Sequence, residues 1–171
     1  TSDEDFLAFI ARATAIATRF GKTLIGWHEM GRSRELPTGT VGQYWSYTTP
    51  QEGAAEHTLS FVEQGGAVIL SPADVAYLDI KYAAGDELGL VWADGPTSLQ
   101  RSYDWEPAEI IPGLDEENIL GLEAPIWTET ITTLDQLQFM AFPRLAAIAE
   151  LAWSPRTSRD FDEFAPRLAA L

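Results

Sequence analysis

Residues 54–79 read AAEHTLSFVEQGGAVILSPADVAYLD, and the fold follows from this stretch. Residues 54–64 are predicted to be helical, Gly65 and Gly66 end that helix, and Ala67–Leu70 is a short unbroken apolar run. Such a run belongs to a strand covered on both faces, as in a parallel sheet flanked by helices, rather than to an alternating surface strand.

Working outward, the same kind of run recurs at residues 23–27 (TLIGW), 41–45 (VGQYW) and 120–127 (LGLEAPIW). Upstream, residues 3–20 place Phe6, Phe9, Ile10, Ala13, Ile16, Ala17 and Phe20 at three- and four-residue spacings. Ser2 is placed as N-cap, Asp3, Glu4 and Asp5 lie in the first turn, and Gly21 closes the helix. Downstream, residues 134–153 read as helix kinked or restarted at Pro143, with Trp153 assigned to the core, and residues 161–171 as a terminal helix. Helix, strand, strand, helix, strand, long loop, strand, helix is a parallel α/β order. Residues 81–118 are Gly- and Pro-rich, include Trp92 and Trp105, and are too long for a plain connector, a length that usually signals function.

Composition narrows the partners. Eleven basic residues against 26 acidic ones give a net charge of −15, which repels nucleic acid and anionic membrane surfaces. No run reaches the ~20 apolar residues of a membrane span. The 171 residues include no Cys, which removes thiolate nucleophiles, Cys-bound zinc and disulfides. His28 and His57 have no companion at metal-ligand spacing, and no Gly-x-Ser-x-Gly elbow is present, so neither a metal nor a cofactor is predicted.

The chemistry collects where the predicted strands end. The first ends at Trp27-His28-Glu29, the second at Trp45, the third runs through Ser71-Pro72 to Tyr77-Leu78-Asp79, and the fourth ends at Trp127-Thr128-Glu129. In parallel α/β folds the carboxyl ends of the strands face the ligand. A single Trp at a strand end is more often packing than ligand contact, but four coincident cases favour a site; Trp105 fits either role. Indoles with carboxylates suit a sugar, whose C–H face packs on the ring while its hydroxyls donate charge-assisted hydrogen bonds of ~1.5–3 kcal/mol net. Tyr77 and Asp79 are two residues apart, as are Trp127 and Glu129, so in extended backbone each pair is expected to face one side.

The ordered series GKTLIGWHEM, VGQYW, AVILSP followed by AYLDIKY, LGLVW, RSYDWEP, GLEAPIWTET and FPRLAAIAELAWSP resembles the second half of the catalytic barrel of the β-N-acetylhexosaminidases, glycoside hydrolase family 20. The resemblance covers residues 21–155. Its most specific parts are Tyr77-Leu78-Asp79, Trp127-Thr128-Glu129 and Phe142-Pro143-Arg144 with Ala149-Glu150. It implies an α/β fold in which the four strands are strands 5 to 8 of a (β/α)₈ TIM barrel. Residues 1–171 would then be the C-terminal portion of a glycoside hydrolase catalytic domain whose preceding half is missing. The activity implied is hydrolysis of terminal β-linked N-acetylglucosamine or N-acetylgalactosamine with retention, the substrate's own acetamido oxygen acting as nucleophile. On this resemblance Trp27, Trp45 and Trp127 wall the acetamido group and the sugar face. Tyr77 donates to the acetamido carbonyl and stabilises the oxazolinium intermediate, Asp79 and Glu129 accept from sugar hydroxyls, and Trp92 packs beside the sugar. It also implies a secreted or periplasmic protein.

One departure from the family is specific. Its Asp-Glu pair, which orients the acetamido nitrogen and serves as general acid/base, ends the fourth strand in a His-x-Gly-Gly-Asp-Glu motif that this chain lacks. Asp86-Glu87 and Asp115-Glu116 lie in the long loop and are expected to be solvated. The chain is thus expected to begin just after the catalytic pair, to be inactive alone, and to associate with the missing half of the barrel or with itself through open sheet edges. The alternative is a non-catalytic carbohydrate-binding module using the same surface.

Overall fold

The computed structural model describes residues 2–170, so Thr1 and Leu171, the ends of the predicted stretch, lie outside the described residues. The chain divides into two compact units, residues 1–70 with 108–121 and residues 71–107 with 122–171.

In the first unit, α1 (Asp3–Arg19) begins at a reciprocal cap: Ser2 Oγ accepts from the Asp5 N–H at 3.1 Å and the Asp5 carboxylate accepts from the Ser2 N–H at 3.1 Å. Hydrogen bonding to Ser2 lowers the Asp5 pKa. β1 (Ile25–Trp27), β2 (Val41–Tyr44), β3 (Ala67–Leu70) and β4 (Ile119–Leu122) form one sheet in the order β1-β2-β3-β4, with β1, β2 and β3 parallel. Ile25 lies opposite Val41, and Val41 opposite Ala67. All four residues of β2 are buried. Between β2 and β3 runs α2 (Ala54–Glu63), which packs against β2 because Gly42 carries no side chain: a Cβ there would lie 2.6 Å from the Phe61 ring. Ile10, Met30, Leu36 and Phe61 form the core of this unit, with Phe6 and Leu24 packed against it.

The structure corrects the expectation for the first strand, which is shorter than residues 23–27 and not covered on both faces. Ile25 is 59% exposed and Trp27 39%, two residues on one face of β1, which is an edge strand with only β2 beside it. The third strand stops at Leu70 rather than continuing to Asp79. Pro72 cannot donate to a ladder, and the short α3 (Ala73–Ala76) follows it at once. The fourth strand likewise ends at Leu122, and residues 123–128 are irregular around Pro125.

In the second unit, α3 is followed by α4 (Leu99–Tyr103), α5 (Leu134–Ala141), α6 (Arg144–Trp153) and α7 (Phe161–Ala169). The break between α5 and α6 falls at Pro143, as its ring predicts. Tyr103, Ala147 and Phe164 make the core cluster, the Tyr103 and Phe164 rings stacking at 4.8 Å. Trp153, expected in the core, is 89% exposed. The inward face of α6 is Arg144, Ala147, Ile148 and Leu151, and Trp153 lies two residues past that stripe, about 200° around the helix from Leu151. Trp105 is half-buried and its indole N–H donates to the Ser102 carbonyl at 3.0 Å.

Candidate functional site

The second unit gathers four of the predicted residues. Tyr77 follows α3 in extended backbone and is buried. Its ring meets Trp92 edge-on at 5.7 Å and Trp127 at 6.3 Å. The two indoles remain 44% and 43% exposed, so the cluster has a buried phenol behind open aromatic surfaces. Asp79 reaches the same cluster: its Oδ1 lies 3.5 Å from the Trp127 N–H. Tyr77 and Asp79 thus converge on Trp127, although by way of a helix and turn rather than an alternating strand. Glu129 is exposed in the turn after Trp127, so strand alternation does not place it either.

The backbone explains how distant segments meet. The Leu90 N–H donates to the Asp79 carbonyl at 2.8 Å, the Lys81 N–H to the Leu90 carbonyl at 2.9 Å, and the Thr97 N–H to the Lys81 carbonyl at 2.7 Å. Trp92 is therefore carried on a loop pinned to the segment bearing Asp79. The Leu78 N–H donates to the Pro125 carbonyl at 2.8 Å, and the Gly89 N–H to Thr130 Oγ1 at 2.9 Å, which fix the strand exit bearing Trp127.

Asp79 carries the most informative electrostatics. The residue is 1% exposed, and among the described residues no protein group bonds to its Oδ2. Burial pushes its carboxyl above the usual carboxylate range; nearby Glu129 adds to the rise, while the Trp127 N–H and the Arg144 guanidinium oppose it. A buried carboxylate oxygen without a partner is an acceptor prepared for a hydroxyl or amide that the protein does not itself provide.

The first unit holds a separate aromatic group at the ends of β1 and β2. Trp45 is half-buried, and its indole N–H donates to Glu29 Oε1 at 2.8 Å. The His28 ring is 5% exposed and stacks on Trp45 at 5.5 Å, with Tyr44 at 5.6 Å and His57 at 6.4 Å. The Trp45 N–H points to His28 Nδ1 at 3.4 Å. Burial lowers the His28 pKa, Glu29 opposes that shift and His57 reinforces it. Trp27, on the edge strand, is open to solvent.

Three positions carry more than the sequence indicated. Glu29 and His28 brace Trp45, which adjacency to a strand end hinted at without specifying a partner. Arg144, noted only as part of a motif, is wholly buried. The acidic pairs of the long loop are surface residues, Glu87, Asp115 and Glu116 being exposed, while Asp86 accepts from the Ala83 N–H at 2.9 Å.

Comparison with known proteins gives a consistent pattern. Residues 2–156 match the model for the glycosyl hydrolase family 20 catalytic domain. A β-N-acetylhexosaminidase of Cellulomonas fimi is 43% identical over 173 residues, covering 99% of this chain and 33% of the relative. A β-hexosaminidase of Akkermansia muciniphila is 30% identical, with coverages of 97% and 32%. Among solved structures, a family 20 β-N-acetylglucosaminidase superposes with a TM-score of 0.92 at 49% identity, covering 98% of this chain and 35% of that one. A mutant Streptomyces plicatus β-hexosaminidase in complex with its product GlcNAc gives a TM-score of 0.93 at 44% identity, with coverages of 99% and 34%. The chain therefore spans about a third of the length of these relatives.

Proposed function

This chain belongs to glycosyl hydrolase family 20, and from that we propose that it supplies part of the sugar site of a β-N-acetylhexosaminidase acting on terminal β-linked N-acetylglucosamine or N-acetylgalactosamine. The observation that carries the proposal is the buried Asp79 carboxylate, with one oxygen unmatched among the described residues, beside the Tyr77, Trp92 and Trp127 rings. A neutral sugar offers what such a group needs: hydroxyls for the carboxylate and C–H faces for the indoles.

The residue roles follow from this chemistry. Asp79 and Glu129 accept from ring hydroxyls. Trp27, Trp45 and Trp127 pack on the acetamido group and the sugar face, and Trp92 packs beside the ring. Tyr77 donates its hydroxyl to the acetamido carbonyl, and the oxygen of that carbonyl attacks the anomeric carbon to form an oxazolinium ion as the glycosidic oxygen leaves. Attack by a neighbouring amide is intramolecular, and good orientation contributes about 7–11 kcal/mol to such reactions, so aromatic walls that limit acetamido rotamers act catalytically. Tyr77 stabilises charge that develops only as the reaction proceeds.

The proton for the leaving oxygen comes from a general acid outside this chain. The four strands are then strands 5 to 8 of a (β/α)₈ barrel, and the other strands come from the rest of the protein. Apolar surface supports this: Phe9 and Ile16 on α1 and Phe20 at its C-terminal cap are exposed, as is Ile25 on β1, in a pattern suited to a neighbouring helix and strand. The test compares the full-length protein with residues 1–171 alone on an aryl N-acetyl-β-glucosaminide. The full-length protein is expected to turn over, Tyr77→Phe to lower kcat by about 10²–10³-fold, and the isolated chain to be inactive. Robust turnover by the isolated chain, or an unaffected Tyr77→Phe variant, would overturn the proposal.

A further inference from the structure

Arg144 begins α6 with none of its side chain exposed. A buried guanidinium ordinarily faces a carboxylate. Here the donors go to four backbone carbonyls: Nη2 to Leu78 at 2.7 Å and Met140 at 3.2 Å, and Nη1 to Ile80 at 2.7 Å and Thr97 at 3.2 Å. The guanidinium carbon sits 3.9 Å from the centroid of the Tyr82 ring. The two shortest bonds hold the carbonyls immediately before and after Asp79. The bond to Thr97 holds the far end of the loop that carries Trp92.

We infer that Arg144 is a positioning residue for sugar binding: its planar fork fixes the backbone on both sides of Asp79 and anchors the Trp92 loop, without touching the substrate. The inference rests on the sugar-binding role proposed for Asp79. Its physical basis is the rigidity of the guanidinium, whose two terminal nitrogens reach four acceptors in fixed directions. A lysine ammonium has three donors on a flexible stem and cannot hold the same set. Peptide carbonyls flanking a binding carboxylate set the direction of its side chain. A displacement of about 1 Å in such a group can lower a rate by on the order of 10²-fold.

The test is a double-mutant cycle in the full-length protein, with Arg144→Lys and Asp79→Asn alone and together. Kinetics on an aryl N-acetyl-β-glucosaminide are measured well below each variant's melting temperature. Arg144→Lys, which keeps the charge and some of the bonds, is expected to lower kcat/KM by about tenfold, chiefly through KM. The double variant is expected to lose clearly less than the product of the two single effects, because part of what Arg144 does passes through Asp79. Wild-type kinetics for a folded Arg144→Lys protein, or effects that multiply in the double variant, would overturn the inference and leave Arg144 a purely stabilising residue. An unaffected Asp79→Asn variant would instead sink the sugar-binding role on which the inference rests. Should Arg144→Lys fail to fold, Arg144→Gln, whose one amide NH₂ can reach only part of the carbonyl set, takes its place and is scored against Asp79→Asn by the same criteria.

Discussion

Replacing Asp79 with Asn should raise the stability of the protein while lowering its activity. The Trp127 N–H approaches Oδ1, so the amide oxygen of an asparagine takes that place and its NH₂ falls where Oδ2 now stands. A donor then faces the sugar hydroxyl in place of an acceptor. The charge-assisted bond, worth about 1.5–3 kcal/mol net, is lost, which amounts to roughly 10- to 150-fold in kcat/KM. Stability moves the other way. Burial raises the folded-state pKa of Asp79, so the folded protein binds this proton more tightly than the unfolded chain does. Stability from this group is therefore greatest below the unfolded pKa, falls as pH rises toward the folded pKa, and stays reduced above it. Neutral asparagine escapes that penalty. Urea unfolding of the full-length wild type and variant between about pH 4 and pH 8 should show the variant more stable at the neutral end, with the advantage shrinking toward the acidic end. Equal or lower stability of Asp79→Asn at neutral pH would refute the claim that the buried carboxylate is strained by desolvation. Unchanged kinetics would refute its contact with the sugar.

Further outcomes follow from other parts of the structure. Glu29→Ala removes the acceptor of the Trp45 indole, and because Glu29 is partly exposed the loss should be modest, about 2- to 10-fold in KM. Glu29→Gln retains an acceptor and should restore most of it, whereas equal effects of the two substitutions would show that charge rather than the indole bond matters. At Gly66 a Cβ would lie 2.1 Å from the Thr40 carbonyl oxygen and 2.9 Å from that of Phe61. Gly66→Ala should therefore destabilise by at least the ~1–3 kcal/mol typical of overpacking, visible as a lowered urea midpoint; an unchanged midpoint would mean that the turn before β3 gives way freely.

The sequence pattern and the structure agree where local forces decide. β3 lies at residues 67–70 as its apolar run predicts, and α1 starts at the Ser2 cap with its acidic first turn. Pro143 separates two helices. They diverge where a segment's environment comes from elsewhere in the chain. TLIGW lies at the open edge expected of it, yet its apolar run suggests cover on both faces where Ile25 and Trp27 are exposed, and composition does not record what lies against a strand. Trp153 follows a run of Ala, Leu and Ile, but helical phase, not composition, turns it outward. The same distinction applies to the site. Tyr77, Asp79 and Trp127 are legible as residue types near strand ends, whereas the contact between Asp79 and Trp127 arises from long-range backbone bonding. Arg144 lies 64 positions from the Ile80 carbonyl it holds, a separation that leaves no local pattern.

The interleaving of the two units bears on how a ribosome delivers this chain. After β3 is complete at Leu70, residues 71–107 belong to the second unit, and only then does the chain return to supply β4 to the first. At about 5–20 residues per second, synthesis from Leu70 to Gly121 takes roughly 3–10 s, long compared with the microseconds in which helices and hairpins form. During that interval the nascent first unit has three parallel strands and an unpaired β3 edge, and the segment bearing Tyr77, Asp79 and Trp92 has emerged before either Trp127 or Arg144 exists to hold it. The timetable of translation thus leaves Tyr77, Asp79 and Trp92 to be ordered late, by parts of the chain made after them.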